Sequence, residues 1–158
     1  MIFRKATFQD FEQLCRLRKE LAHEPTERLA TEYALYQEEK DRAWIQKCLR
    51  SRQRISVLIA EDNGEICAHA ITCMEKVPDK MRAYVTYRQK ARLVHLYVSR
   101  TKRRQGIGLK LTQYTLKYLK KCGAEFVDLE CYIGNKKADA LYQKIGFKDV
   151  FVQKRFKL

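Results

Sequence analysis

Proline and glycine are scarce, with two and six among 158 residues. So few chain breakers exclude a collagen-like or low-complexity chain, and 46% hydrophobic and 11% aromatic residues supply enough material for a buried core. Long hydrophobic runs are missing too. The longest, Val57-Leu58-Ile59-Ala60, falls far short of the roughly 18 residues of a membrane span, and Arg4 and Lys5 interrupt any apolar stretch near the start. Neither a membrane helix nor a secretory leader is expected. The six cysteines (Cys15, Cys48, Cys67, Cys73, Cys122 and Cys131) include no C-x-x-C pair, and His23, His69 and His95 do not stand at ligand intervals from them. No metal site is therefore expected, and buried free thiols in a reducing, cytoplasmic setting are the natural reading.

Acidic residues are in short supply, at 19 Asp/Glu against 33 Lys/Arg, for a net charge of +14. The imbalance is local: residues 1–50 hold 10 basic and 9 acidic side chains, whereas residues 101–158 hold 14 and 5. A positive carboxy-terminal half attracts polyanions, which include nucleic acid, an acidic protein surface and a phosphorylated cofactor. A lysine-rich solvated surface accounts for the same numbers, and charge alone does not choose.

With no repeat and no Gly/Ser/Pro linker, the chain reads as one domain over 1–158. Ile2 to Lys5 is a strand, and Thr7 with Asp10 resembles a cap for the helix carrying Phe11, Leu14, Cys15, Leu21 and Ala22 up to Pro25. A second helical stretch, Thr26 to Arg50, presents Leu29, Tyr33, Trp44, Cys48 and Leu49, with a break expected near Gln37–Lys40. Ile55–Glu61 and Glu65–Cys73 form a hairpin around Asn63-Gly64, a dipeptide suited to a type I′ turn. A loop, Lys76–Lys90, leads to the strand Arg92–Val98. Then come a basic turn, a helix from Gly106 to Cys122, a strand Phe126–Cys131, a helix Asn135–Lys144, Gly146 and a terminal strand pair. This pattern predicts an α/β fold with a mixed, mostly antiparallel sheet flanked by helices and one parallel crossover through the Gly106 helix.

Chemistry concentrates in Arg103-Arg104-Gln105-Gly106-Ile107-Gly108, between an apolar strand and an amphipathic helix. Two glycines one residue apart let the backbone approach a ligand, and the first N–H groups of the helix are free for an anion, as a pyrophosphate cradle requires. Taken alone, the pattern also fits a plain turn: it lacks the third glycine of a dinucleotide fold and the Gly-Lys-Ser/Thr of a P-loop.

The wider context is more specific. Leu93-Val94-His95-Leu96-Tyr97-Val98, then Arg103-x-x-Gly106-x-Gly108, then Asn135-x-x-Ala138-x-x-x-Tyr142-x-x-x-Gly146-Phe147 closely resembles the GNAT superfamily of acyl-CoA-dependent N-acetyltransferases. The clear motifs cover Leu93 to Phe147, and the segments before them are compatible with the same fold, in which a splayed strand pair holds acyl-CoA. The resemblance implies that acetyl-CoA is the co-substrate, with its pyrophosphate on the backbone amides of Arg104, Gln105, Gly106, Ile107, Gly108 and Leu109, and Arg103 at the motif's Arg/Gln position. It implies that Leu96, Tyr97 and Val98 offer strand backbone to the acetyl and pantetheine groups, and that Asn135 contacts the cofactor arm, although a helix cap explains Asn135 equally well. Tyr142 matches the family's general acid, a phenol able to protonate a departing thiolate. Spacing alone makes it a core residue, on one apolar face with Ala138, Leu141 and Ile145.

The base is less legible. Many family members carry a Glu where this chain has Val94. Those resembling peptide N-terminal acetyltransferases carry one twelve residues before the tyrosine, where Glu130 stands here. Glu130 is the first candidate base and His95 the second, with a plain solvated carboxylate as the alternative for Glu130. Direct transfer to a primary amine in a ternary complex follows, since no Cys is matched to a His in the motif region and Cys131 reads as core. The rival is a non-catalytic acyl-CoA-sensing or nucleic-acid-binding module. A basic chain disfavours polycationic acceptors, so a peptide N-terminus or a neutral or acidic amine is expected. A partner that is acidic or rich in RNA, such as the ribosome, and self-association as a homodimer complete the expectations.

Overall fold

Strand order in the sheet follows chain order. The computed structural model describes residues 1–24, 36–51 and 53–154. In it, β1 (Ile2–Lys5), β2 (Ile55–Asp62), β3 (Glu65–Lys76) and β4 (Gln89–Val98) form an antiparallel run, and β5 (Phe126–Leu129) adds to β4 in parallel. Helix α1 (Phe11–Ala22) and α2 (Glu38–Arg50) cover one face, while α3 (Ile107–Lys121) and α4 (Lys136–Ile145) cover the other.

Local chemistry accounts for the elements. Asp10 ties down the first turn: its carboxylate accepts the Thr7 N–H (2.7 Å) and hydroxyl (3.1 Å) and both arms of the Arg4 guanidinium at 2.8 Å. Asn63 (φ 52°) and Gly64 (φ 80°) both adopt the left-handed conformation that a type I′ hairpin demands. Gly123 (φ 90°) and Gly146 (φ 107°) end α3 and α4 in the same way.

Two apolar layers result. Leu14, Leu17, Ile45, Val57, Ile59, Ile66 and Ile71 pack beneath α1 and α2, and Leu58, Ala70, Leu93, Ile107 and Leu111 beneath α3. Each is nearly solvent-free, a burial that contributes about 1.5–3 kcal/mol for each large aliphatic side chain.

Several expectations need correction. Helix α2 begins at Glu38, inside the break expected near Gln37–Lys40, and the expected stretch before it from Thr26, with Leu29 and Tyr33, lies outside the described residues. Strands β3 and β4 reach further into the Lys76–Lys90 connection than alternation indicates, leaving a short 3₁₀ turn at Asp79–Met81. No terminal strand pair is present among the described residues: none from Phe147 to Lys154 joins a ladder, and Val150, Phe151 and Val152 are exposed. That stretch offers β-prone residues but no turn dipeptide to fold one half onto the other. The six thiols are all free, but Cys122 is exposed, and Cys73 and Cys131, the latter past the end of β5, are only half-buried.

Candidate active site

Past Leu93 the sheet opens. Pairing between β4 and β5 runs from Lys90↔Phe126 to Leu93↔Leu129 and stops, whereas β4 continues to Val98 beside β3 alone. A bulge stands at the point of separation: Ile71 faces His95 and Thr72 faces Leu93, which leaves Val94 as the extra residue. The bulge shifts the side-chain alternation, so that Leu93, Leu96 and Val98 all belong to the α3–α4 layer and Tyr97 to the α1–α2 layer. Beyond it, the β5-facing edge of Leu96 and Tyr97 has no strand partner. The Val98 carbonyl accepts Arg103 Nε at 3.0 Å.

The turn after β4 ends in a cradle. Arg104 (φ 64°) and Gly106 (φ 75°) are both left-handed around Gln105, an alternation that gathers successive N–H groups into an anion-binding concavity. Gly106 then caps α3. Among the described residues no acceptor receives the N–H groups of Arg104, Gln105, Gly106, Ile107, Gly108 or Leu109; the first helical bond donated from the turn is Lys110 N–H to the Gly106 carbonyl, at 3.1 Å. Gly108 faces the gap between β4 and α4, where a Cβ would meet Val98 at 3.6 Å and Leu141 at 3.5 Å.

Arg103 does something the sequence does not indicate. Its guanidinium turns inward to Glu24 (2.7 Å), joined there by Arg100 (2.8 Å), and stands 5.3 Å over the Tyr97 ring. The Tyr97 hydroxyl donates to Glu20 at 3.1 Å, with Glu24 at 3.4 Å as the alternative acceptor. Burial pushes the Glu24 carboxyl up, and the Arg103 and Arg100 guanidiniums overcome it, holding it below its ordinary range. Arg103 thus braces the cradle from behind, and its charge is committed to Glu24.

Asn135 caps α4, its side-chain oxygen accepting the Ala138 N–H at 3.3 Å. One turn on from Ala138, the Tyr142 ring packs edge-on against Phe147 (5.7 Å) and into the layer with Leu96, Val98, Val127 and Leu129. Its hydroxyl has no hydrogen-bond partner among the described residues, and burial, with a smaller push from Cys131, raises its pKa to about 12. On the opposite face of the sheet, Asp128 pairs with Lys90 (2.7 Å) and Glu130 with Arg92 (3.0 Å). Glu130 is exposed. His95 lies under α2, edge-on to Trp44 at 5.3 Å, with Nδ1 3.2 Å from Arg18 Nη1; burial and then the Arg18 charge depress its pKa to about 3. An imidazole so held stays neutral at neutral pH and has little capacity to keep an amine's proton.

The structure thus sets the cradle, Tyr142 and the open edge of β4 in one layer, with Asn135 capping the helix that carries Tyr142, Glu130 exposed on the other face beside Arg92, and His95 withdrawn into the α1–α2 layer. Glu24 is the residue that sequence reasoning missed. It stands 79 positions from Arg103 and carries no signal beyond closing a helix before Pro25.

Comparison with known proteins identifies the family and the fold. The family model described as Acetyltransferase (GNAT) family matches residues 15–147. The chain belongs to the GNAT acetyltransferases. An N-alpha-acetyltransferase of Sulfurisphaera tokodaii is 33% identical over 99 residues, which are 62% of this chain and 59% of that protein's length. A tetramutant of the BH1408 protein of Bacillus halodurans superposes with a TM-score of 0.84 at 22% identity, over all of both chains. The aminoglycoside N-acetyltransferase AAC(6')-Iy, in complex with CoA, superposes at 0.72 with 17% identity, over 98% of this chain and 95% of that one. These likenesses establish the fold, an α/β sandwich on a five-stranded mixed sheet. The family uses acetyl-CoA as co-substrate; the unpartnered N–H groups fit its pyrophosphate, and the approach left bare by Gly108 between Val98 and Leu141 suits its pantetheine arm. No helix among the described residues is long and apolar enough to cross a membrane, and none of their His, Cys, Asp and Glu gather in threes as a metal would need.

Proposed function

We propose that this acetyltransferase moves an acetyl group from acetyl-CoA to a primary amine by direct attack while both are bound, and that the acceptor is a peptide N-terminus or a small neutral or acidic amine. The observation that carries the reading is the disposition of the two titratable side chains: Tyr142 packs with Val127 and Leu129 on the α3–α4 face, and Glu130 projects with Asp128 to the other, either side of the opened β4 edge. A donor entering from one face and an acceptor from the other would meet at that edge.

Acetyl-CoA supplies an activated thioester. The N–H groups of Arg104 to Leu109 would bind its pyrophosphate with the favourable end of the α3 dipole, the backbone of Leu96 to Val98 would align the acyl arm, and Asn135 would use its remaining amide donor on that arm. Glu130 accepts the proton of the attacking amine, directly or through water, and Tyr142, protonated throughout the neutral range, gives one to the leaving sulfur. The acceptor class rests on charge: at +14 the chain repels polycations, and only five carboxylates lie in residues 101–158 to line a pocket for them. Similarity to the N-alpha-acetyltransferase points the same way.

The test is acetyl-CoA-dependent thiol release across a panel of peptides with differing N-termini, spermidine and an aminoglycoside. Fastest turnover on peptides or neutral amines is expected. Fastest turnover on spermidine overturns the charge argument, and tight acetyl-CoA binding without turnover on any amine favours a sensing module.

A further inference from the structure

Helix α3 carries cations and no acid. Its charged residues are Lys110, Lys117, Lys120 and Lys121, all exposed, and none forms an ion pair with any described residue. At 100° per residue Lys110, Lys117 and Lys121 fall within about 40° of one another and Lys120 about 60–100° to one side, a stripe some 16 Å long at about 1.5 Å rise per residue. The other half of the molecule is built differently. There Arg4, Arg18, Lys19 and Arg42 each face a carboxylate at 2.7–2.8 Å. The helix dipole explains cations at the last turn, but not Lys117 in mid-helix, and Lys110 stands in the first turns, where a cation is disfavoured.

The stripe's chemistry selects its partner. Of the apolar residues of α3, Ile107, Leu111 and Leu119 are buried and Leu109 and Leu116 half-buried, so the helix offers no fully exposed apolar side chain to insert into a bilayer. Protein interfaces favour arginine and aromatic residues and are depleted in lysine. A row of flexible ammonium groups without Arg or Asn base readers suits a phosphodiester backbone recognised by shape. A-form RNA sets the phosphates of its two strands close together across a narrow major groove, so one row of amines meets more charge there than across the wide groove of B-DNA.

We propose that the Lys117–Lys121 end of this stripe docks the phosphate backbone of duplex RNA without reading sequence. These residues lie about 16–22 Å along the helix from Gly106, outside reach of the cradle, so the proposal stands apart from the acetyl-transfer reading. The experiment is fluorescence anisotropy of a labelled RNA duplex of about 20 base pairs, titrated with the full chain between about 50 and 200 mM KCl. Expected are measurable binding at the lower salt and a steep linear fall of log K with log salt. In the Lys117→Gln/Lys120→Gln/Lys121→Gln triple variant, affinity should drop at least tenfold and the slope shrink by about 2–3, at roughly 0.9 for each phosphate left without its lysine. A charge-reversed Glu triple variant should bind more weakly still; a single cooperative melting transition, lowered by no more than the loss of favourable last-turn charges, and unchanged acetyl-CoA affinity certify both folds. No RNA binding by the parent chain, undiminished binding by the Gln variant, tighter binding to a DNA duplex of the same sequence, or equal capture by phosphatidylserine vesicles each overturns the proposal.

Discussion

Gly108→Ala separates a ligand effect from a folding effect, because the two should move in opposite directions. Gly108 is helical, with no left-handed backbone to preserve, and the added methyl meets Leu141 Cδ2 at 3.5 Å and Val98 Cγ2 at 3.6 Å, which is ordinary van der Waals contact. The free protein accommodates it, and alanine's better helix propensity is worth up to about 1 kcal/mol, less in a first turn. On a chain of this size that raises the melting temperature by about 1–4 °C. The same methyl, however, enters the gap between β4 and α4 proposed for pantetheine, so acetyl-CoA affinity should fall at least about tenfold, or ~1.4 kcal/mol. Gly106→Ala provides the contrast. Nothing lies within 4 Å of its new Cβ, yet φ is +75°, so the cost of about 1–2 kcal/mol is backbone strain and stability falls along with affinity. Scanning calorimetry and isothermal titration on both variants measure the two quantities. A Gly108→Ala protein at least as stable as the parent that binds acetyl-CoA equally well refutes the placement of the arm in that gap.

Three further outcomes are expected. Tyr142→Phe keeps the ring against Phe147 and removes only the hydroxyl, so steady-state kinetics should show kcat reduced on the order of 10²-fold with stability and acetyl-CoA affinity retained; an unchanged kcat makes the phenol a packing residue. Glu130→Gln should slow turnover most at acidic and neutral pH and recover in part at high pH, where solvent deprotonates the amine, while an equal loss at every pH removes Glu130 as the base. His95 has its pKa lowered to about 3 in the fold against about 6.5 unfolded, so its contribution is complete above pH 6.5 and is lost as pH falls, by about 1.4 kcal/mol per unit. His69, fully buried and likewise depressed, adds to the same window. Urea unfolding between pH 7 and 4 should therefore show a stability slope that His95→Gln flattens by about one proton's worth, and an unaltered slope contradicts the burial argument.

Local chemistry is readable in the sequence wherever one or two residues decide a conformation. Asn63-Gly64 is a type I′ turn because both residues tolerate positive φ, and Thr7 with Asp10 closes the first turn because the carboxylate reaches back three residues. Gly106 at the entrance of an apolar helix marks both the turn and the cradle, since one left-handed residue serves both. The strands expected after Gly146 are missing from the described residues for the complementary reason. Alternation and β propensity in Val150-Phe151-Val152 describe a segment able to pair, and pairing needs a neighbouring edge that no local pattern encodes.

The same limit explains the two site features that the sequence conceals. Alternation along β4, taken unbroken from Leu93, assigns His95 to the face of Leu93 and Leu96 to the opposite one. The bulge at Val94 reverses this, sending Leu96 and Val98 to the Tyr142 layer and His95 beneath Trp44. A bulge of this kind is set by the competing pairings of two strands, β3 on one side and a departing β5 on the other, and it leaves no mark on the residue that occupies it. Glu24 is concealed in a different way. An arginine beside a phosphate-binding turn reads naturally as a phosphate ligand, because both fit the charge. Only when the end of α1 brings a buried carboxylate to 2.7 Å does the guanidinium have a partner whose desolvation it must offset. The unpaired N–H groups of the turn are then left to hold the anion, and Arg103, which the motif alone would set on the phosphate, holds the turn.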